Sequence, residues 1–342
     1  MTSRISNMKR RELLTAAVVA PLVLSAPARS VTSGGTPTVL VTADLESHVV
    51  AIELPTRTVV GRIRTLPGPR SIEAAFASFA VVAHTASGRL SVLDARTLRL
   101  RRVITGLGEP RYTAVHPVRY PSEVDPAGRL LAYVTDSRRR EVVTVDLGRG
   151  TVLWRTAVPG PARHVTVSPD GGIAWAALGS KAERVAVLDL DDPRRPRLAR
   201  TFAPPFLAHD VVCSEDGAHV WVTSGDARRI AIYEREARRP VAVLGAGAPP
   251  QHVAFRGRRA FVASGDDGTV SLHRPDGTVL EEARVPVGSY NVTSSSSGFG
   301  RLGAATPSLG LGTIALLGER GQVTEVRRVA RAAHDACLVV RA

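Results

Sequence analysis

The sequence predicts an all-β chain folded as a seven-bladed β-propeller of four-stranded antiparallel blades, closed by the C-terminal strand pairing into the first blade. Three observations predict it. A repeat of about forty residues runs along the chain. Each repeat holds short β-branched strands punctuated by Gly, Pro and Asp turns. An unmatched strand stands at each end.

The repeat is clearest at Tyr133-Val134-Thr135-Asp136. Its counterparts start at Leu40, Val81, Trp175, Trp221, Phe261 and, more weakly, Leu302-Gly303-Ala304, so successive starts differ by 41, 52, 42, 46, 40 and 41 residues. An alternating strand follows each one, as in Val142-Val143-Thr144-Val145 and Ile230-Ala231-Ile232-Tyr233. A third strand such as Thr151 to Val158 comes next. A fourth, resembling His164-Val165-Thr166-Val167-Ser168, closes in Pro169-Asp170-Gly171. Four strands in such a repeat, seven times over, make a propeller. The strand around Val39 lacks a preceding partner of the His164 type, and His334 to Val340 is one such strand left over. Pairing the two closes the ring without an exposed edge. The third repeat carries an insertion (Val118 to Glu123), and the seventh is degenerate.

At these residues the chain resembles the YVTN-repeat (YncE-like) propellers. Tyr133-Val134-Thr135-Asp136 nearly reproduces the naming motif, and Ser168-Pro169-Asp170-Gly171 matches the family's turn. The resemblance spans roughly residues 38 to 341. It implies the fold and says little about activity, because these motifs form strands and turns.

Ahead of the repeats lies an address. Lys9-Arg10-Arg11, an apolar stretch from Leu13 to Leu24 and Ala26-Pro27-Ala28 read as a signal peptide over residues 1–28. A linker over 29–37 and the propeller over 38–342 follow. The apolar stretch falls short of the about 20 residues that a membrane span needs. Arg10-Arg11-Glu12-Leu13-Leu14 resembles the twin-arginine export signal, with a Sec signal as the alternative. The expected destination is outside the cell or at its envelope.

Composition narrows the function classes. Apolar residues at 44% and charged residues at 22% exclude disordered and collagen-like chains. The net charge of +14 is an arginine bias rather than a nucleic-acid footprint. Of the 45 basic residues only Lys9 and Lys181 are lysines, and the arginines are spread along the whole chain. Cys213 and Cys337, on innermost strands several blades apart, read as free thiols. The sequence holds no phosphate loop, G-x-S-x-G elbow, CxxC, CxxCH or HExxH motif.

Chemistry therefore has to come from residues that the ring brings together. The innermost strand of each blade begins at the mouth of the central channel. The paired residues there are Ser71-Ile72, Arg111-Tyr112, Arg163-His164, His209-Asp210, Gln251-His252, Tyr290-Asn291 and His334-Asp335. They hold four of the nine histidines. Repeat duplication is the plain account, each His capping its strand on a neighbouring carbonyl. The chemical account takes His164, His209, Asp210, His252, His334 and Asp335 as ligands for zinc, copper or iron. Alternatively His209 and Asp210 serve as a general base for ester or lactone hydrolysis. Arg70, Arg111 and Arg163, with Tyr112 and Asn291, are expected to bind a small anionic ligand. The turn carboxylates Asp44, Glu46, Asp136, Asp226, Asp266 and Asp267 should open on the same face. The reading is a monomeric exported binding or scaffold propeller whose partner is that anion or a cell-envelope protein. A lactonase-like hydrolase and a metal-binding propeller are the alternatives.

Overall fold

A computed structural model describes residues 35–76, 78–117, 130–179, 184–294 and 299–341. The proposed signal peptide and the insertion at 118–123 lie outside these residues. The described chain forms seven four-stranded antiparallel sheets arranged as a ring. The one helical element among the described residues is a short 3₁₀ turn at Thr85–Ser87.

The second through seventh blades are each continuous in sequence, with innermost strands Ser71–Ala75, Pro110–Val115, His164–Val167, Ala208–Cys213, Gln251–Arg256 and Thr293–Ser294. The first blade is built from both ends of the chain. Ala333–Arg341 pairs antiparallel with Thr36–Ala43, matching Cys337 with Leu40 and Leu338 with Val39. The closing strand is thus where the sequence places it, although the propeller begins at Thr36 rather than at 38.

The two middle strands of a blade are pressed between neighbouring blades and lose the alternation of a half-exposed sheet. All six positions of Leu131–Asp136 are buried. The outermost strands face water on one side, and Arg99–Ile104 is exposed at four of its six positions. Bulk fills the wedge between blades. Tyr133, Trp175, Trp221 and Phe261 are at most 1% exposed. Tyr133 packs against Ala174 and Leu188 of the next blade, and Trp221 packs against Val253 and Phe255. Each such ring contributes on the order of 2–3 kcal/mol by burial.

The threonine of the Tyr133-Val134-Thr135 pattern has its own task. Thr223 Oγ1 accepts the Asp210 N–H within its blade and donates to the Gln251 carbonyl of the next blade. Thr135 makes the same pair of contacts with Tyr112 N and the Arg163 carbonyl, and Thr42 with Asp335 N and the Arg70 carbonyl. The seventh blade corrects the sequence alignment. Thr306 donates to the Asn291 carbonyl of its own blade, as Thr135 does to the Tyr112 carbonyl, so Ala304-Ala305-Thr306 takes the equivalent position. Leu302-Gly303-Ala304 lies two residues too early, at a place where the register also shifts by one residue, between Leu302 and Ala304.

Two outcomes follow from this stitching. A chain ending at Ala332 is expected to lose cooperative thermal unfolding and to aggregate, since Thr36–Ala43 becomes a bare edge; calorimetry and light scattering check it. Thr223→Val leaves a buried N–H and a buried carbonyl unpaired. It should lower unfolding free energy by about 1–3 kcal/mol in urea titrations.

Candidate functional site at the channel mouth

The seven paired positions separate into two layers. The second residue of each pair, namely Ile72, Tyr112, His164, Asp210, His252, Asn291 and Asp335, lines a central cavity of about 460 Å³. The cavity extends along the innermost strands to Glu215 and Phe299, in turns at their far ends. The first residues (Ser71, Arg111, Arg163, His209, Gln251, Tyr290 and His334) stand outside that lining.

Most of these side chains bond backbone at the junctions between blades. Asp335 Oδ2 accepts the Ile72 N–H of the second blade at 3.0 Å, and Oδ1 accepts the Ala336 N–H. Asp210 repeats the device four blades on, accepting from Val253 N at 3.2 Å and from its neighbour Val211 N. Ser71 Oγ donates to the Arg111 carbonyl, Asn291 Nδ2 to the His334 carbonyl, and His164 Nδ1 to the His209 carbonyl at 2.5 Å. The capping role and the chemical role expected from the sequence thus fall on the same residues. The carboxylates of Asp210 and Asp335 are held as structural acceptors.

Three of the expected ligands come together. His164, His209 and His252 are buried, and one ring nitrogen from each lies within 4.8 Å of the others. His209 Nε2 stands 3.2 Å from His252 Nε2, and His252 Nδ1 is 3.4 Å from Asp210 Oδ2. Tyr112 stacks on His164 at 3.8 Å between ring centroids and sends its hydroxyl 3.4 Å to Asn291 Oδ1, from the third blade to the seventh. His164 Nε2 and His209 Nδ1 are buried without a hydrogen-bond partner. Burial, reinforced by the neighbouring His252, holds both groups below the usual imidazole range, His209 at about 2. Both are neutral at neutral pH. His334 and Asp335 do not join this trio: His334 Nδ1 donates to the Arg70 carbonyl at 2.8 Å, and burial together with Arg70 lowers it to about 4.

The arginines lie on the outer side. Arg70 is 3.7 Å from Asp44, and Arg111 pairs with Glu109 at 2.6 Å. Burial lowers the pKa of Arg163, and the positive charges of Arg111 and Arg70 act in the same direction. The turn carboxylates mostly clamp the loops that feed the innermost strands. Asp136 accepts from Gly108 and Glu109 N, Asp226 from Leu207 N, and Asp267 from Ala248 N.

The residue that sequence reasoning missed is Glu73. It follows the mouth pair by one position and faces the cavity, with Asp335, Cys337, Asp210 and Tyr112 on the surrounding strands. Its side chain is exposed to the open space of the cavity, and desolvation by the surrounding strands, with the nearby Asp335, pushes its carboxyl up to about 8. Burial raises Asp335 to about 7 against the lowering effect of its backbone bonds. Among the described lining residues the charged ones are Glu73, Asp210, Glu215 and Asp335, with no Arg or Lys. Only the register of the innermost strand, counted from the mouth, would have revealed Glu73.

No protein-family model matches the chain, and no curated protein sequence does. Solved structures do match. The fold is similar to the hydrazine synthase of Kuenenia stuttgartiensis, with a TM-score of 0.65 at 17% identity, covering 86% of this chain and 92% of that one. A functionally unknown protein from Desulfotomaculum acetoxidans gives a TM-score of 0.72 at 12% identity over 89% of this chain and 99% of that one. The dihydro-heme d1 dehydrogenase NirN gives 0.59 at 16%, over 86% of this chain and 64% of NirN. At such identities the likeness is one of fold.

Glu73 sets an expected pH dependence. Its folded pKa of about 8 lies above the ordinary 4.5, so the folded state binds the extra proton. Stability then falls as pH rises from about 4.5 towards 8. Glu73→Gln removes that loss. Its melting temperature should equal the wild type's near pH 4, exceed it increasingly from pH 5 to 8, and hold a constant gap above that.

Proposed function

We propose that this chain is an exported, YVTN-like binding propeller that holds a small organic cation, an aliphatic amine in chemical class, in its central chamber. One observation carries the reading. In a chain with 45 basic and 31 acidic residues, the charged side chains among the described residues lining a cavity of about 460 Å³ are acidic: Glu73, Asp210, Glu215 and Asp335. That volume lies in the range of small-molecule sites. Tyr112, Phe255 and Phe299 add aromatic faces that attract ammonium groups.

The chamber's chemistry favours a cation over the small anion suggested by the arginines. Desolvation and the nearby Asp335 raise the Glu73 carboxyl, and an ammonium group beside Glu73 relieves both the repulsion and the desolvation. The arginine-rich side of the mouth lies beyond the layer of Tyr112, His164 and Asn291. Export rests on the Arg10-Arg11 segment and its Ala26-Pro27-Ala28 cleavage site. The same sequence logic extends to an envelope location.

A thermal-shift and calorimetric panel of aliphatic monoamines, diamines and polyamines tests the reading. At least one amine should raise the melting temperature saturably at pH 8, with weaker binding at pH 6, where Glu73 and Asp335 are protonated. Glu73→Gln should weaken binding about tenfold or more, the cost of a lost charge-assisted bond. A panel without effect on the wild type, or affinities unchanged in Glu73→Gln, overturns the proposal.

A further inference from the structure

We infer that His164, His209 and His252 form a binding site for one divalent late transition-metal ion, zinc or copper in class, at the mouth end of the channel. The inference stands on the imidazole geometry and is independent of any ligand in the acidic chamber.

Hydrogen-bond accounting leads to it. His164 gives its Nδ1 proton to the His209 carbonyl, so its buried, unpartnered Nε2 carries a lone pair. His252 turns Nδ1 towards the Asp210 carboxylate at 3.4 Å, which leaves its Nε2 as a lone pair as well. That Nε2 faces His209 Nε2 at 3.2 Å. If His209 carries its proton on Nδ1, two lone pairs meet and a buried N–H lacks an acceptor. If His209 carries it on Nε2, the His209–His252 contact is satisfied, but the lone pairs of His209 Nδ1 and His164 Nε2 are both buried without donors. Neither tautomer satisfies the set, and unpaired buried polar atoms of this kind each call for an explanation. A cation shared by the three Nε2 atoms removes the lone-pair conflict.

The dimensions agree. Nitrogens bound to zinc at about 2.0–2.1 Å in a tetrahedral site lie about 3.3 Å apart. The His209–His252 pair already stands at 3.2 Å, and the trio spans at most 4.8 Å, so the set closes by side-chain movement of an ångström or two. The surrounding contacts have the form that metal-bound imidazoles use. A backbone carbonyl fixes His164, and a carboxylate lies 3.4 Å from His252 Nδ1. Asp210 is in turn anchored by Val211 N and Val253 N, and Tyr112 covers the His164 ring. Three imidazoles select zinc, copper or their neighbours over magnesium and calcium, which prefer oxygen donors. His334 belongs to the same mouth and has its Nδ1 on the Arg70 carbonyl, outside the trio, which makes it the internal control.

The test is calorimetric titration of chelator-treated, folded protein with Zn²⁺, repeated with Cu²⁺ and Co²⁺. One ion per chain is expected. His209→Gln should weaken binding at least about 100-fold, beyond the 10–100-fold typical of an outer partner, while His334→Gln and Glu73→Gln stay within about twofold. Imidazole ¹⁵N resonances of the wild type provide a reading that needs no variant: Zn²⁺ should shift three histidines and leave the others in place. Co²⁺ should give visible bands that His252→Gln abolishes. Failure of all three ions to bind the folded wild type overturns the inference. So does a folded His209→Gln of unchanged affinity, or a Zn²⁺ shift confined to other histidines. Because Glu73→Gln weakens amine binding and spares this site, the two proposals fail separately.

Discussion

The pairing of Ala333–Arg341 with Thr36–Ala43 is the interaction on which the rest of the molecule depends. Six sheets complete themselves locally, while the first needs a strand from more than 290 residues away. Once that strand is in place, no blade has a free inner edge, and every innermost strand begins at the same end of one axis. The mouth is a consequence of closure. Asp335 meets Ile72 and His334 meets Arg70 only because the last strand lies beside the first blade's remaining three and next to the second blade.

Convergence carries an electrostatic and hydrogen-bonding cost that shapes the residues at the mouth. Backbone groups at the start of each innermost strand have no ladder partner towards the neighbouring blade, so side chains supply one. Ser71, Asp210, Asp335, Asn291 and His164 each reach a backbone group at the next junction. A carboxylate uses both oxygens in doing so and is left with little capacity for a ligand. An imidazole uses one nitrogen and keeps the other. That asymmetry separates residues that look equivalent in the sequence: His164 emerges from its structural duty with a free lone pair, whereas Asp210 and Asp335 emerge as anchors.

How much of this was legible in the sequence follows from what kind of information each feature needs. Blade number, strand order and closure depend on local pattern, and Tyr133-Val134-Thr135 with its six counterparts carries that pattern. A slip remains in the seventh blade, where the degenerate Leu302-Gly303-Ala304 stands two residues ahead of the matching Ala304-Ala305-Thr306 and a register shift interrupts the strand. The ring of paired positions was also legible, because position in a repeat fixes height along the axis. Which of its members touch was not. His334 and His252 have the same repeat position to within one residue, yet only His252 reaches His209, since that depends on side-chain direction. Glu73 was invisible for a related reason: its neighbour Asp335 lies across a blade boundary, 262 residues away in the chain.

Tyr112 is the point at which these considerations meet. It stacks on His164, reaches Asn291 on the far side of the ring, and so lies across the lumen between two regions of opposite chemistry. Outside it stand Arg70, Arg111 and Arg163, whose mutual repulsion is felt most by the buried Arg163. Inside it lie Glu73, Asp210 and Asp335, whose enclosure makes ionisation costly for Glu73 and Asp335. Like charges gathered this closely are unfavourable on each side of the layer. On the outer side Arg70 and Arg111 meet counter-charges in Asp44 and Glu109. Among the described residues Glu73 and Asp335 have no such ion pair, unlike Glu319 with Arg256 or Asp267 with Arg228 on the outer surface. Unpaired charge of one sign held around a cavity is instead what a site awaiting a counter-charge requires, and the acidic side of Tyr112 is the one with a cavity.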